Sequence, residues 1–347
     1  MYQQFFGFRE RPFDLTPNTR FLVMTESHRE ALSNLEYGIA ARKGITLLLG
    51  EAGCGKTTLI RAAIERQPER VHCVHLTNPA LTRHEFVETL ATRLGLSPEA
   101  RVSKATMLRE LEDLLRLRRQ ADETTVIVID EAQSLSNDLL EEIRLLANIE
   151  TADDKLVSLI LAGQPELAVQ LDQGALRQLK QRIALRCELR PLTVPETLAY
   201  LAGRVRAAGG VASRIFTREA AASLHQHSGG IPRVLNVLAD NALLAAFAKH
   251  SAQVTSQIVA DVARDFHLEA PAGVTPPATV APPPVVTPQA EITGPTKSLL
   301  AVVPASAEPE AAQVPQESEP SPRNSPMFGS FLARRRFPFF LGRRDTA

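Results

Sequence analysis

Residues 50–57, Gly50-Glu51-Ala52-Gly53-Cys54-Gly55-Lys56-Thr57, decide how the rest of the chain is read. The stretch fits G-x-x-x-x-G-K-[ST], with an apolar strand-like run at 45–49 before it and a helical pattern at 57–66 after it. Glycines let the backbone turn its N–H groups inward around phosphate oxygens, and a helix start adds partial positive charge. In such a loop the Lys56 ammonium reaches the β- and γ-phosphates of ATP, and the Thr57 hydroxyl ligates Mg²⁺. Gly50 to Thr57, with Thr58 beyond, are the candidate ATP-binding residues. Cys54 faces phosphate only through its backbone, which predicts a small neutral filler. The sharper alternative is a thiol whose oxidation blocks ATP binding.

Outward from the loop, short apolar runs recur at 71–76, 126–129, 156–161 and 185–189. They are too short for helices and read as buried parallel strands. Helical patterns lie between strands at 83–94, 105–119 and 138–148. Strand alternating with helix predicts an α/β fold, a parallel sheet with helices on both faces. From 195 to 267 strands vanish and about four helical patterns follow, a separate all-α unit. The expected domains are therefore 1–194, α/β with an N-terminal arm, and 195–268, a helical lid.

The run Val126-Ile-Val-Ile-Asp130-Glu131 is the second chemical element. A buried strand ending in a carboxylate puts Asp130 beside the Mg²⁺ of the phosphate loop, as a ligand directly or through water. Glu131 is placed to polarise the water that attacks the γ-phosphate. His72 and His75, in the second strand, and His225 and His227, on a lid helix, have no carboxylate or cysteine grouping and read as structural.

Composition narrows the class. The chain has 347 residues with 39 Lys+Arg against 39 Asp+Glu. That zero hides two opposed segments. Residues 269–326 carry six Glu against Lys297 and Arg323, and residues 327–347 carry five Arg against Asp345. The body is neutral, which disfavours bulk nucleic-acid binding. Fifteen of the 24 prolines follow Glu269, so 269–326 reads as a disordered linker. Nothing approaches the roughly 18 apolar residues of a membrane span. The start lacks a signal peptide, and Cys54, Cys73 and Cys187 have no paired spacing. A soluble cytoplasmic protein is expected, in the cytoplasm or peripheral at the inner membrane.

The segments FFGFRERPFDLTPNTRFL, SHREAL, GEAGCGKTTLIR, VIVIDEAQSLS, LILAGQPEL, LRQLKQRIALRCELRPL and SGGIPRVLN resemble the AAA+ branch of the P-loop ATPases. The opening stretch and GQPEL are similar to the ExeA-like (general secretion pathway protein A) family. The resemblance covers residues 1 to about 267 and implies an ATPase. It implies that Gln164 is the polar sensor orienting the attacking water, and that Arg233 is the lid arginine on the γ-phosphate. Arg182 resembles an arginine finger offered to a neighbouring subunit of a homo-oligomer, with Arg177 and Arg186 as close competitors. Phe5, Phe6, Phe8 and Phe13 precede the first strand. Either Pro12–Phe13 and Ile231–Pro232 wall the adenine, or the aromatics pack an arm onto the core.

Long members of that family continue into a membrane span and a peptidoglycan-binding domain, and neither pattern follows Leu268. The resemblance then implies an ATPase that drives assembly of envelope secretion or polysaccharide export machinery. The tail at 327–347 interleaves Phe328, Phe331, Phe337, Phe339 and Phe340 with arginines. It suits an anionic membrane surface or an envelope-assembly protein partner. The alternative is a DNA-binding ATPase, a transposition helper or initiator-like factor.

Overall fold

A computed structural model describes residues 1–268 apart from 17, 78–80 and 153. The linker and tail expected at 269–347 lie outside the described residues. Five parallel strands form one sheet: β1 (Ile45–Gly50), β2 (Val71–Leu76), β3 (Thr124–Ile129), β4 (Val157–Gly163) and β5 (Ile183–Leu189). Their order is β2-β3-β4-β1-β5.

Alternation along the strands sorts side chains to two apolar layers. Leu47, Leu49, Ile127, Ile129, Leu159 and Leu161 share one cluster; Leu48, Val126, Val128, Ile160 and Ala162 share the other. The second face is covered by α1 (Glu26–Ala40) and α2 (Lys56–Glu65), through Leu35, Ile39, Leu59 and Ile60. The first is covered by α3 (Arg83–Leu94), α4 (Lys104–Gln120), α5 (Asn137–Leu146) and α6 (Pro165–Leu171). These starts are legible locally. Thr82 and Glu85 close a capping box on α3, and Ser103 and Ser136 cap α4 and α5. Each fully buried Leu or Ile stabilises by about 1.5–3 kcal/mol, so the central strands are held from both sides.

The two edge strands depart from the expectation, and in β2 Val71, His72, Cys73 and His75 are only half-buried. β5 is an edge strand, not a buried one: Ala184, Arg186 and Glu188 are exposed while Cys187 and Leu189 are buried. It pairs only with β1, and charged side chains on an unpaired edge oppose further strand addition.

After β5 come α7 (Val194–Ala207), α8 (Arg218–Ser228), α9 (Pro232–Ala248) and α10 (Ser256–Asp265). Their core holds Leu201, Leu224, Leu235, Leu238 and Val259, and takes in Tyr2, Phe8, Phe13 and Phe21 from the start of the chain. The chain's first residues thus complete a core whose other members lie some two hundred residues later. The Tyr2 hydroxyl donates to Asp240 on α9, and the Arg9 N–H donates to the Ala208 carbonyl at 2.8 Å.

Candidate functional site

All five strands run the same way, so the groups following β1, β3 and β4 meet at one edge of the sheet. β1 leads into the phosphate loop, β3 into Asp130 and Glu131, and β4 into Gln164. Because β4 lies between β3 and β1, Gln164 falls between the acidic pair and the loop.

Gly53 and Gly55 both take left-handed backbone, φ +88° and +95°, and Gly55 is the N-cap of α2. Lys56 is buried, and its Nζ donates to the Gly50 carbonyl at 2.7 Å and the Glu51 carbonyl at 3.2 Å. No carboxylate lies within ion-pair reach of it among the described residues. A buried cation at a helix start, compensated only by carbonyls, favours an anion beside it. Thr57 Oγ1 donates to Asp130 Oδ2 at 2.5 Å, and the other carboxylate oxygen accepts the Glu131 N–H at 3.0 Å. A hydroxyl and a carboxylate make an all-oxygen donor set that fits a hard divalent cation.

Glu131 sits at φ +55°, ψ +38°, a left-handed conformation rare away from glycine. Its carbonyl accepts from the Ser134 N–H at 3.0 Å and the Ser134 hydroxyl at 2.8 Å. Its carboxylate accepts from Gln133 Nε2 at 2.7 Å and Gln164 Nε2 at 3.5 Å. Gln133 in turn accepts the Gln164 N–H at 3.1 Å. The sequence reading passed over Gln133, although it stands in Asp-Glu-Ala-Gln.

The helical bundle closes the loop from the other side. The Arg233 N–H donates to the Gly53 carbonyl at 3.2 Å, and a Cβ on Gly53 would stand 2.6 Å from that of Arg233. The Arg233 side chain is exposed and lines the cleft with Pro232, Glu131, Lys56 and Thr57.

His28 was also unforeseen as a site residue. It is buried, with Nε2 3.2 Å from the Cys54 carbonyl and Nδ1 2.7 Å from Thr25 Oγ1. Burial pulls its pKa below the usual histidine value, so the ring is neutral near pH 7. The carbonyl can only accept, which assigns the proton to Nε2 and leaves Nδ1 to accept from Thr25. Cys54 itself is fully buried, and burial pushes its thiol up, away from the reactive thiolate.

One expectation needs correction. Pro12–Phe13 do not wall the cleft. Arg204 of α7 donates to the Pro12 carbonyl at 2.6 Å and the Asp14 carbonyl at 3.1 Å, and its guanidinium lies 6.0 Å from the Phe13 ring. That clamp turns Phe13 into the bundle core against Phe216. Pro232 does line the cleft as expected, and the rest of the apolar wall comes from Phe21, Leu22, Val23, Leu192 and Tyr200. Phe5 and Phe8 pack on the bundle, as the second of the two readings holds. Three of the four histidines read as structural have ordinary hydrogen-bond partners, and His75 Nε2 has none among the described residues. His72 Nε2 meets Glu123 at 2.7 Å, and His75 Nε2 lies 3.9 Å from Asp130. His225 meets the Thr197 hydroxyl at 2.8 Å, and His227 the Leu268 carbonyl at 3.0 Å.

Arg177, Arg182 and Arg186 are exposed and none lines the cleft. Arg182 precedes β5, at the end of the sheet opposite the phosphate loop. Six strand residues at about 3.3 Å each put it roughly 20 Å away. It cannot serve the site of its own chain.

The AAA domain family matches residues 39–171. Those residues hold the loop, Asp130, Glu131 and Gln164 together. Residues 39–171 form an AAA domain. The general secretion pathway protein A of Aeromonas hydrophila is 41% identical over 254 residues, which is 73% of this chain and 46% of that protein. A probable conjugal transfer protein TraA of Sinorhizobium fredii is 29% identical over 137 residues, 40% of this chain and 11% of that protein. The chain thus spans about half, or less, of the length of these relatives. Among solved structures, the Aeropyrum pernix ORC2 protein, in ADPNP-ADP complexes, shares the fold at TM-score 0.57 and 17% identity, covering 74% of this chain and 72% of its own. The ORC1 protein of the same organism, in complex with DNA, does so at TM-score 0.57 and 20% identity, covering 75% and 70%. Among the described residues, no helix of this chain is long and apolar enough to cross a membrane.

Proposed function

We propose that this AAA-domain protein binds ATP with Mg²⁺ and hydrolyses it to ADP and phosphate. The observation that carries the reading is the convergence at adjoining strand ends of a buried Lys56 without a counter-charge, the Thr57–Asp130 pair and the Glu131–Gln133–Gln164 cluster. Lys56 exchanges its loop carbonyls for β- and γ-phosphate oxygens, while loop N–H groups hold the phosphates. Thr57 and Asp130 hold the cation, which when bound screens the phosphate charge. Glu131 accepts the proton of a water whose oxygen attacks the γ-phosphorus, as the bond to the ADP oxygen breaks. Gln164 orients that water and fixes the Glu131 carboxylate. Arg233 contacts the γ-phosphate and so reports its loss to the bundle. Arg182, remote from its own site, serves a neighbouring copy in a homo-oligomer, with Arg177 and Arg186 as its competitors for that role.

The work done is assembly of an envelope secretion or export machinery, supported by the 41% identity to general secretion pathway protein A. A DNA-acting role is the second reading, favoured by the fold shared with the DNA-bound ORC1 protein. A single experiment separates them. Glu131→Gln protein, with and without residues 327–347, is incubated with ATP and scored against inner-membrane vesicles and duplex DNA. Retention on vesicles that needs 327–347 supports the envelope role. ATP-dependent retention on DNA that weakens steeply with salt overturns it in favour of the second. Specific ATPase activity that climbs with protein concentration supports a finger in trans, and full activity in a proven monomer sinks it.

A further inference from the structure

Two buried side-chain polar atoms lack a hydrogen-bond partner among the described residues: Asn148 Oδ1 and His75 Nε2. Asn148 follows α5 on the way to the amino end of β4, far from the chemistry. His75 stands at the other end of the sheet, one residue before the close of β2. There the Leu76 carbonyl accepts the Asp130 N–H at 3.0 Å, fixing the two strand ends together. His75 Nε2 lies 3.9 Å from Asp130 Oδ2, about 1 Å longer than a typical hydrogen bond. That oxygen is held by the Thr57 hydroxyl at 2.5 Å, and its partner oxygen by the Glu131 N–H. A sealed nitrogen left unsatisfied costs stability unless another state of the site gives it a partner. The nearest acceptor is a carboxylate whose present donor, Thr57, is also the hydroxyl suited to a cation. Burial lowers the imidazole pKa, with Asp130 opposing and Arg61 and Arg93 adding to it, in keeping with a neutral ring.

We propose that His75 is a positioning residue for the cation-binding carboxylate. When the Thr57 hydroxyl turns from Asp130 to Mg²⁺, the Nε2–H of His75 donates to Asp130 Oδ2 in its place. The carboxylate keeps two donors throughout and so keeps its aim. Side chains that orient a metal's ligands commonly change metal affinity by about 10–100-fold when removed. The inference rests on reading the site as one for Mg²⁺ and nucleotide.

The test is equilibrium binding of fluorescent ADP to the full chain, first in EDTA and then across buffered free Mg²⁺. For His75→Leu the Mg²⁺ concentration at half-effect should rise about 10-fold. Affinity in EDTA should stay within about twofold of wild type, because His75 touches no phosphate-binding residue. His75→Gln, whose amide can donate from a similar position, should restore the wild-type Mg²⁺ response. His75→Phe keeps the ring without its nitrogens and gives the same readout should the leucine variant not fold. An unchanged Mg²⁺ response in folded His75→Leu or His75→Phe overturns the proposal. Loss of affinity already present in EDTA overturns it too, in favour of a packing role. If wild type binds ADP with no Mg²⁺ dependence, the reading of Thr57 and Asp130 as cation ligands falls first and takes the proposal with it.

Discussion

The sheet side meets the cleft with polar and charged side chains, whereas the helical bundle hydrogen-bonds the phosphate loop through backbone. On the sheet side, Lys56 and Thr57 at the start of α2 and Asp130, Glu131 and Gln164 after strand ends bond to one another or to the loop. On the bundle side, the bond to the loop is the Arg233 N–H on the Gly53 carbonyl, and Leu192 binds Gly230 backbone to backbone at 2.8 Å. Arg204, the buried cation of the bundle, spends its donors on the arm carbonyls and Tyr200. On the proposed reading the hydrolytic groups stand on one wall, and the other, apart from the Arg233 side chain, governs how firmly the cleft is closed.

Substitutions on the two walls should separate turnover from stability. The largest effect is expected for Glu131→Gln. Turnover measured by phosphate release should fall by about 10²–10⁴-fold, with ATP affinity retained. Undiminished turnover would remove Glu131 as the base. Lys56→Ala comes next, with ATP binding weakened by about 100-fold in fluorescence titration, as for loss of charge-assisted bonds to phosphate. Its melting temperature should hardly move, since Lys56 bonds only loop carbonyls. Near-normal binding would break the contrast at its strongest point.

The bundle wall should behave in the opposite sense. Gly230 has φ +74°, and a Cβ there would stand 2.1 Å from the Leu192 carbonyl oxygen. Gly230→Ala should destabilise by roughly 3 kcal/mol and lower the melting temperature by about 5–10 °C. Turnover at saturating ATP should stay within a few-fold of wild type. A melting temperature unchanged by this substitution would show the junction to be slack.

The smallest expected effect is on pH dependence, at the residue joining the walls. His28 holds the Cys54 carbonyl, and Glu196 of α7 is near enough to favour its charged form. Its folded pKa lies below the unfolded value near 6.5. The stability it contributes is therefore present above pH 6.5 and is lost as the pH falls through the folded pKa. His28→Gln should shrink the difference in melting temperature between pH 7.5 and pH 5.5. An unchanged difference would place the acid sensitivity elsewhere.

Some features were plain in the sequence because they are local. The phosphate loop, the Asp130–Glu131 strand end and a parallel sheet with helices on both faces follow from residue types at short spacing. β2 and α3 lie where the periodicity predicts, since alternation and a Thr-x-x-Glu cap are written within a dozen residues. The exposure of β5 was not legible, because being an edge strand depends on which strands pair. Nor was the cleft wall: Phe13 and Phe21 both lie in an aromatic-rich arm, both join the bundle core and both flank the Arg204 guanidinium, yet only Phe21 lines the cleft.

By itself the sequence determined that the chain carries a nucleotide loop, an acidic strand end and a mixed α/β body with helices after it. Backbone turns and strand burial are dictated by neighbours along the chain. Only the tertiary structure decided the strand order that sets Gln164 between Glu131 and the loop. It alone brought His28 beneath Cys54 and left His75 facing Asp130. Those partners are chosen by packing between elements far apart in sequence, where burial, not spacing, determines which donor finds which acceptor.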